Sequence, residues 1–124
     1  MVSPEILVVD DEADIRDCFR QALELQGYPV ATATNGQEAW LALHARPIPA
    51  LVLLDLMMPV MNGAELLRLI RSDPELEGLP VVLVTAFGAL ANAALANAQE
   101  CVGKPLELDA LYRLVERYAG PASA

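Results

Sequence analysis

With 124 residues, 55% of them apolar, and a positive mean hydropathy, the chain can build one domain around a single core and is not a disordered segment. Seventeen acids against eight bases leave a net charge of −9, which excludes the basic footprint needed for nonspecific binding to nucleic acid or an anionic membrane. Cys18 and Cys101 lie far apart without metal-ligand spacing and read as two reduced thiols of a cytoplasmic protein.

Pro4 and Glu5 interrupt the N-terminus with no basic region before them, so no signal peptide is expected. Glu5-Ile6-Leu7-Val8-Val9 then reads as a short apolar strand ending in three acids, Asp10, Asp11 and Glu12. From Asp14 the pattern turns helical, with Ile15, Cys18, Phe19, Ala22 and Leu23 on one stripe, until Gly27 stops it. Val30 to Thr34 alternate as a second strand. Asn35-Gly36 opens a second helix through Ala39, Trp40 and Leu43, and Pro47 and Pro49 enforce a break.

Ala50–Leu54 is an unbroken apolar run, the pattern of a strand buried on both faces of a parallel sheet. It delivers one carboxylate, Asp55, at its C-terminal end, where such a residue is a nucleophile, a metal ligand or a helix cap. Pro59 and Asn62-Gly63 mark a turn before a third helix through Leu66, Leu67 and Ile70, ending near Ser72. The stretch from Gly78 to Gln99 carries no charge and is long enough to imitate a membrane span. Its Pro80, Gly88, Asn92 and Asn97 divide it into a fourth strand, Pro80–Val84 closed by Thr85, and a fourth helix over roughly Ala89–Gln99; no membrane insertion is expected. Cys101-Val102 leave room for a brief fifth strand before Gly103-Lys104-Pro105, and a last helix runs from Asp109 to Tyr118.

Five strands alternating with five helices predict an α/β, doubly wound parallel sheet covered on both faces. Four of the strands end in polar groups: Asp10-Asp11, Asp55, Thr85 and Lys104. In such a sheet these tips lie side by side. Three carboxylates held together require protons or a cation, and acidic oxygens suit Mg²⁺, which takes one or two carboxylates plus phosphate and water. A lysine and a threonine could hold the remaining oxygens of a phosphoryl group, so the set reads as phosphoryl-transfer chemistry.

Each of these residues also has a plain structural reading. Asp55 could cap the turn, Thr85 could be an ordinary strand-end hydroxyl, and Lys104 could be a surface lysine. The acids at 10–12 could form a solvated helix start, and Glu12 is read that way. His44 reads as a solvated histidine at a helix C-terminus, and Trp40, Met57, Met58 and Met61 as packing.

Val8-Val9-Asp10-Asp11-Glu12, the run Asp55-Leu56-Met57-Met58-Pro59 with Asn62-Gly63, Val84-Thr85-Ala86 and Lys104-Pro105 occur in this order. On these pieces the chain resembles a response-regulator receiver domain of bacterial two-component signalling, of the CheY-like superfamily, over essentially its full length. The resemblance implies a flavodoxin-like sheet of order 2-1-3-4-5, with a receiver over residues 1–119 and a tail or start of a linker over 120–124. It implies that Asp55 accepts a phosphoryl group from a histidine kinase or phosphotransfer protein, and that the change reaches a downstream protein target or a fused output domain. Mg²⁺ would be bound by Asp11, Asp55 and the backbone carbonyl of Met57, with Asp10 acting partly through water. Thr85 and Lys104 would each hold a phosphoryl oxygen, and the peptide before Pro105 would be cis. Such a chain is a switch that catalyses only its own modification, and otherwise a receiver-fold interaction module that acts without phosphorylation.

Rival phosphoryl chemistries fit less well. There is no GxxxxGK[ST] loop for a P-loop NTPase, and no second aspartate two positions after Asp55 or Asp10 for a haloacid-dehalogenase-type phosphatase. A flavodoxin needs a phosphate-cradling loop where this chain has acids.

Three departures from the receiver pattern stand out. Cys101 occupies the position where receivers carry an aromatic, so the usual threonine–aromatic switch is expected to be absent or rerouted. The interval from Thr85 to Lys104 is short and lacks the usual Ala-Gly turn, which shortens the region of the fourth helix and fifth strand. Met57 and Phe87 stand where receivers influence attack of water on the acyl phosphate. Neither orients a water by a strong hydrogen bond, so a long-lived phosphorylated form is expected.

Overall fold

The strands are short apolar runs whose alternate side chains serve two opposite cores. The computed structural model describes residues 4–45, 47–86 and 97–122. Five strands, β1 (Ile6–Val9), β2 (Val30–Ala33), β3 (Leu51–Leu54), β4 (Val81–Thr85) and β5 (Glu100–Gly103), form one parallel sheet in the order β2-β1-β3-β4-β5. This is the order the receiver resemblance implied.

Period-two alternation sends Leu7, Val9, Val52, Leu54, Val81 and Leu83 to one face, where they pack with Ala39 and Leu43 of α2 (Gly36–Ala45) and Leu66, Leu67 and Ile70 of α3 (Gly63–Ser72). Ile6, Val8, Leu51, Leu53, Val82 and Val84 face the other way, onto Phe19, Ala22 and Leu23 of α1 (Ala13–Leu25) and Leu111, Leu114 and Val115 of α4 (Leu108–Ala119). Burial on both faces is why β1, β3 and β4 read as continuous apolar runs. The two edge strands are less covered: β2 alternates half-buried with buried residues, and no residue of β5 is fully buried.

The expected helix over Ala89–Gln99 lies outside the described residues except for its last three positions, which form a short bent approach to β5. Among the described residues there are therefore four helices, and the expected count of five is not met by them. Phe87 also lies outside the described residues. No helix among the described residues is long and apolar enough to cross a membrane, and the uncharged stretch after Gly78 contains β4.

Arg71, at the end of α3, ties the sheet's far edge together. Its guanidinium donates to the carbonyls of Asn97 (2.7 Å), Glu77 (2.9 Å) and Leu79 (2.7 Å) and to Gln99 Oε1 (2.9 Å). Gln99 Oε1 also accepts from the Val81 N–H at 2.6 Å, so one side chain extends the β4–β5 ladder by a step. At the opposite edge the Tyr28 hydroxyl donates to the Gly120 carbonyl at 2.7 Å, and Ala122 packs against the α1–α4 core.

Candidate functional site

The ladder continues one residue beyond β1 and β3, and this aims the acids. Asp10 N–H donates to the Ala33 carbonyl (3.1 Å) and Asp55 N–H to the Val9 carbonyl (2.9 Å). Because Val9 lies opposite Leu54, Asp10 and Asp55 leave the sheet as neighbours. Both are almost wholly buried, Asp10 at 3% exposure and Asp55 at 5%. The Asp10 backbone carbonyl is held by Arg16 Nη1 at 2.9 Å, and its Oδ1 accepts from the Glu12 N–H at 2.9 Å.

The turn after Asp55 is closed from the other side by Asn62-Gly63. Asn62 caps α3 reciprocally with Glu65: its Oδ1 accepts from the Glu65 N–H at 2.9 Å, and Glu65 Oε1 accepts from the Asn62 N–H at 3.2 Å. Gly63 packs directly on the backbone of Asp55, and a Cβ there would collide with the Asp55 carbonyl oxygen. The motif needs glycine because backbone approaches backbone. Met57 stands two residues after Asp55, with its N–H 3.3 Å from Asp55 Oδ1 and its residue 45% exposed at the rim.

Thr85 ends β4, 1% exposed, and its carbonyl accepts from the Lys104 N–H at 3.0 Å. That bond delivers Lys104, just past the edge strand, to the acids. Its Nζ lies 2.9 Å from Asp10 Oδ2, 3.1 Å from Glu12 Oε1 and 3.3 Å from Asp55 Oδ2. The Lys104–Pro105 peptide is cis. Asp10, Asp11, Asp55 and Lys104 thus meet at the C-terminal edge of the sheet, with Met57 joined to Asp55 and Thr85 to Lys104 through the backbone.

The electrostatics are those of crowded acids in a poorly hydrated place. Burial first, and the neighbouring Asp10 charge second, push the Asp55 carboxyl up to about 6, against the restraint of Lys104. Burial pulls the Lys104 ammonium down, but its bonds to Asp10 and Glu12 and the charges of Asp10 and Asp55 outweigh this and leave it above the ordinary lysine value. One oxygen from each of Asp10, Asp11, Glu12 and Asp55 can be chosen so that all lie within 4.8 Å of one another. Ligands about 2.1 Å from a hard octahedral ion are about 3 Å apart when adjacent and about 4.2 Å when opposite, so the acidic donor set fits Mg²⁺.

Two features escaped the sequence reading. Glu12, read as a solvated helix start, occupies the N-cap position of α1 without making a side-chain cap, and its carboxylate turns to Lys104. An apolar groove of about 510 Å³ opens from Glu12 and Lys104, lined in part by Ile15 and Phe19 of α1 and by Leu106. The helical stripe containing Ile15 and Phe19 was the available signal for the groove. No local pattern announced the Glu12 contact.

The response regulator receiver domain model matches residues 6–116. The chain belongs to this family. The receiver domain is 40% identical to the uncharacterized 14.6 kDa protein in the sodA1 3′ region of Leptolyngbya boryana, over 92% of this chain and 88% of that protein. It is 37% identical to the phosphate regulon transcriptional regulatory protein PhoB of Pseudomonas aeruginosa, over 100% of this chain and 56% of PhoB. It thus spans about half the length of the larger regulators it matches. Among solved structures, the response regulator TrrA of Thermotoga maritima, in complex with Mg²⁺-BeF, is 33% identical with a TM-score of 0.84 and covers 93% of this chain and 98% of its own.

Proposed function

We propose that this receiver domain is a phosphoryl-accepting switch in which Asp55 takes a phosphoryl group from the phosphohistidine of a histidine kinase or phosphotransfer protein. The observation that carries the reading is the placement of a buried carboxylate, Asp55, within 3.3 Å of Lys104 and beside Asp10 at the end of the central strand. In the transfer, an Asp55 carboxylate oxygen attacks phosphorus, a P–O bond forms, the P–N bond to imidazole breaks, and the imidazole leaves with a proton taken from water. Lys104 and Thr85 each hold a phosphoryl oxygen, which fixes the group and offsets its charge. Asp11, Asp55 and the Met57 carbonyl would hold Mg²⁺, with Asp10 acting partly through water, and the bound ion supplies charge neutralisation between the acids and the incoming phosphoryl group. TrrA, solved with Mg²⁺-BeF, supports this assignment by likeness.

The protein modifies only itself, works in the cytoplasm, and passes its state to a protein target or a fused output domain, without contacting nucleic acid through residues 1–119. Residues 120–124 begin a linker or tail.

Cys101 favours a second reading. The position that would carry the switch aromatic holds a small, half-buried thiol packed against the α2–α3 core, which fits an interaction module indifferent to phosphorylation. Intact mass after incubation with Mg²⁺ and a small phosphodonor separates the two. One phosphoryl increment, lost in Asp55→Asn, supports the switch. No increment on a folded, Mg²⁺-binding chain supports the module.

A further inference from the structure

A lysine ammonium has three N–H donors and no acceptor. In this receiver domain three carboxylates, from Asp10, Glu12 and Asp55, stand within 3.3 Å of Lys104 Nζ, one for each donor. To hold a phosphoryl oxygen on Asp55, the ammonium must leave one of them.

The three differ in what that release requires. Asp10 is almost wholly buried, and an oxygen deserted there has little water to turn to; Asp55 is as buried, and when its Oδ1 takes phosphorus its Oδ2 stays behind as a carbonyl acceptor with equally little water. The Glu12 side chain is 59% exposed, so water replaces the ammonium as it departs. Glu12 also has no capping bond to keep: its backbone N–H goes to Asp10 Oδ1, while its side chain goes to Lys104.

We infer that Glu12 is a releasable counter-ion for Lys104, a positioning residue that occupies the third donor of the ammonium at rest and gives it up when a phosphoryl oxygen arrives. The inference rests on the phosphoacceptor reading of Asp55 and adds a residue to it. Glu12 touches no reacting atom; its influence passes through Lys104. Because the pair is exposed on one side, removing it changes the rate modestly, by about two- to fivefold.

The test is phosphorylation by phosphoramidate with Mg²⁺, followed by intact mass as a function of donor concentration, for wild type, Glu12→Gln, Lys104→Met and the double variant. The expected result is a maximum rate about two- to fivefold higher in Glu12→Gln, with the half-saturating donor concentration unchanged, and no further gain from Glu12→Gln once Lys104 is Met. An unchanged or lower maximum rate in Glu12→Gln overturns the inference. So does a gain that survives in the Lys104→Met background or appears only in the half-saturating concentration, since Glu12 would then merely repel an anionic donor. If Lys104→Met takes up no phosphoryl group, the split between maximum rate and half-saturating concentration decides alone. A folded wild type that takes up none removes the phosphoacceptor reading and this inference together, whereas a wild type that reacts while Glu12→Gln matches it removes only the inference.

Discussion

Lys104 Nζ lies 3.3 Å from Asp55 Oδ2, although the two residues leave strands separated by the whole of β4. The ammonium does not fully offset the desolvation of Asp55 or its proximity to Asp10, and the carboxyl titrates near 6. In the unfolded chain an aspartate titrates near 3.9. The folded state therefore holds this proton more tightly, and ionising Asp55 opposes folding. The associated stability is present below about pH 4, declines as the pH rises to about 6, and stays lost above it. Without divalent cations, Asp55→Asn should be more stable than wild type at pH 8, by about 1–3 kcal/mol, with the gap narrowing at pH 5. Urea unfolding in chelator at the two pH values measures it.

A metal ion bound to these acids would compete with the same proton for the same oxygens. The apparent affinity for Mg²⁺ should be flat above about pH 7 and fall by up to about tenfold per unit below 6, because one carboxylate must be deprotonated before it can bind. Calorimetric titration across pH 5 to 8 gives the profile. Saturating Mg²⁺ should also restore the stability lost to Asp55 ionisation, about 2.7 kcal/mol at a hundred times the dissociation constant.

The sheet and most of the site were legible for one physical reason. A strand buried on both faces carries no polar residue until it leaves the core, so the first polar residue after Val9, Leu54 and Val84 marks the edge where the candidate site lies. Lys104 follows the weaker β5, which is only partly buried and opens on Glu100, so its mark is less clear. Contacts between side chains far apart in sequence left no such mark. Glu12 and Lys104 are separated by 92 positions, and Arg71 and Gln99 by 28. His44, read as solvated, bonds Asp73 Oδ2 through Nε2 at 3.0 Å across 29 positions, linking the ends of α2 and α3. Periodicity reports which face a residue takes and is silent on which distant partner it meets there.

Arg71 illustrates what such a contact is worth. Four acceptors depend on its guanidinium, two of them backbone carbonyls from the loop between α3 and β4. Most are exposed and rehydrate when the side chain is removed, but Leu79 O is partly buried and does so less readily. Arg71→Ala should lower unfolding stability by about 2 kcal/mol. Arg71→Lys should recover only part of it, because an ammonium cannot reproduce the planar fork. Urea melts of the three chains test both statements. The expected local signature is faster amide exchange at Val81 and Gln99, whose ladder bonds lean on this side chain.

The rim residue Met57 sets the last expectation, which concerns how long the phosphorylated state persists. Its N–H lies 3.3 Å from Asp55 Oδ1, so its side chain begins one short step from the carboxyl that would carry the phosphoryl group, and the residue is 45% exposed to the water that would attack. A thioether accepts hydrogen bonds weakly and donates none, so it leaves an approaching water unoriented. An amide at the same place both donates and accepts. One added hydrogen bond to the attacking water, worth about 0.5–1.5 kcal/mol in the transition state, corresponds to about a two- to tenfold rate change. Met57→Asn should accordingly lose its phosphoryl group about two- to tenfold faster than wild type, measured by the decay of the phosphorylated mass after the donor is removed. Equal or slower decay in Met57→Asn would show that water reaches the acyl phosphate without help from this position, and would place control of the lifetime elsewhere around the site.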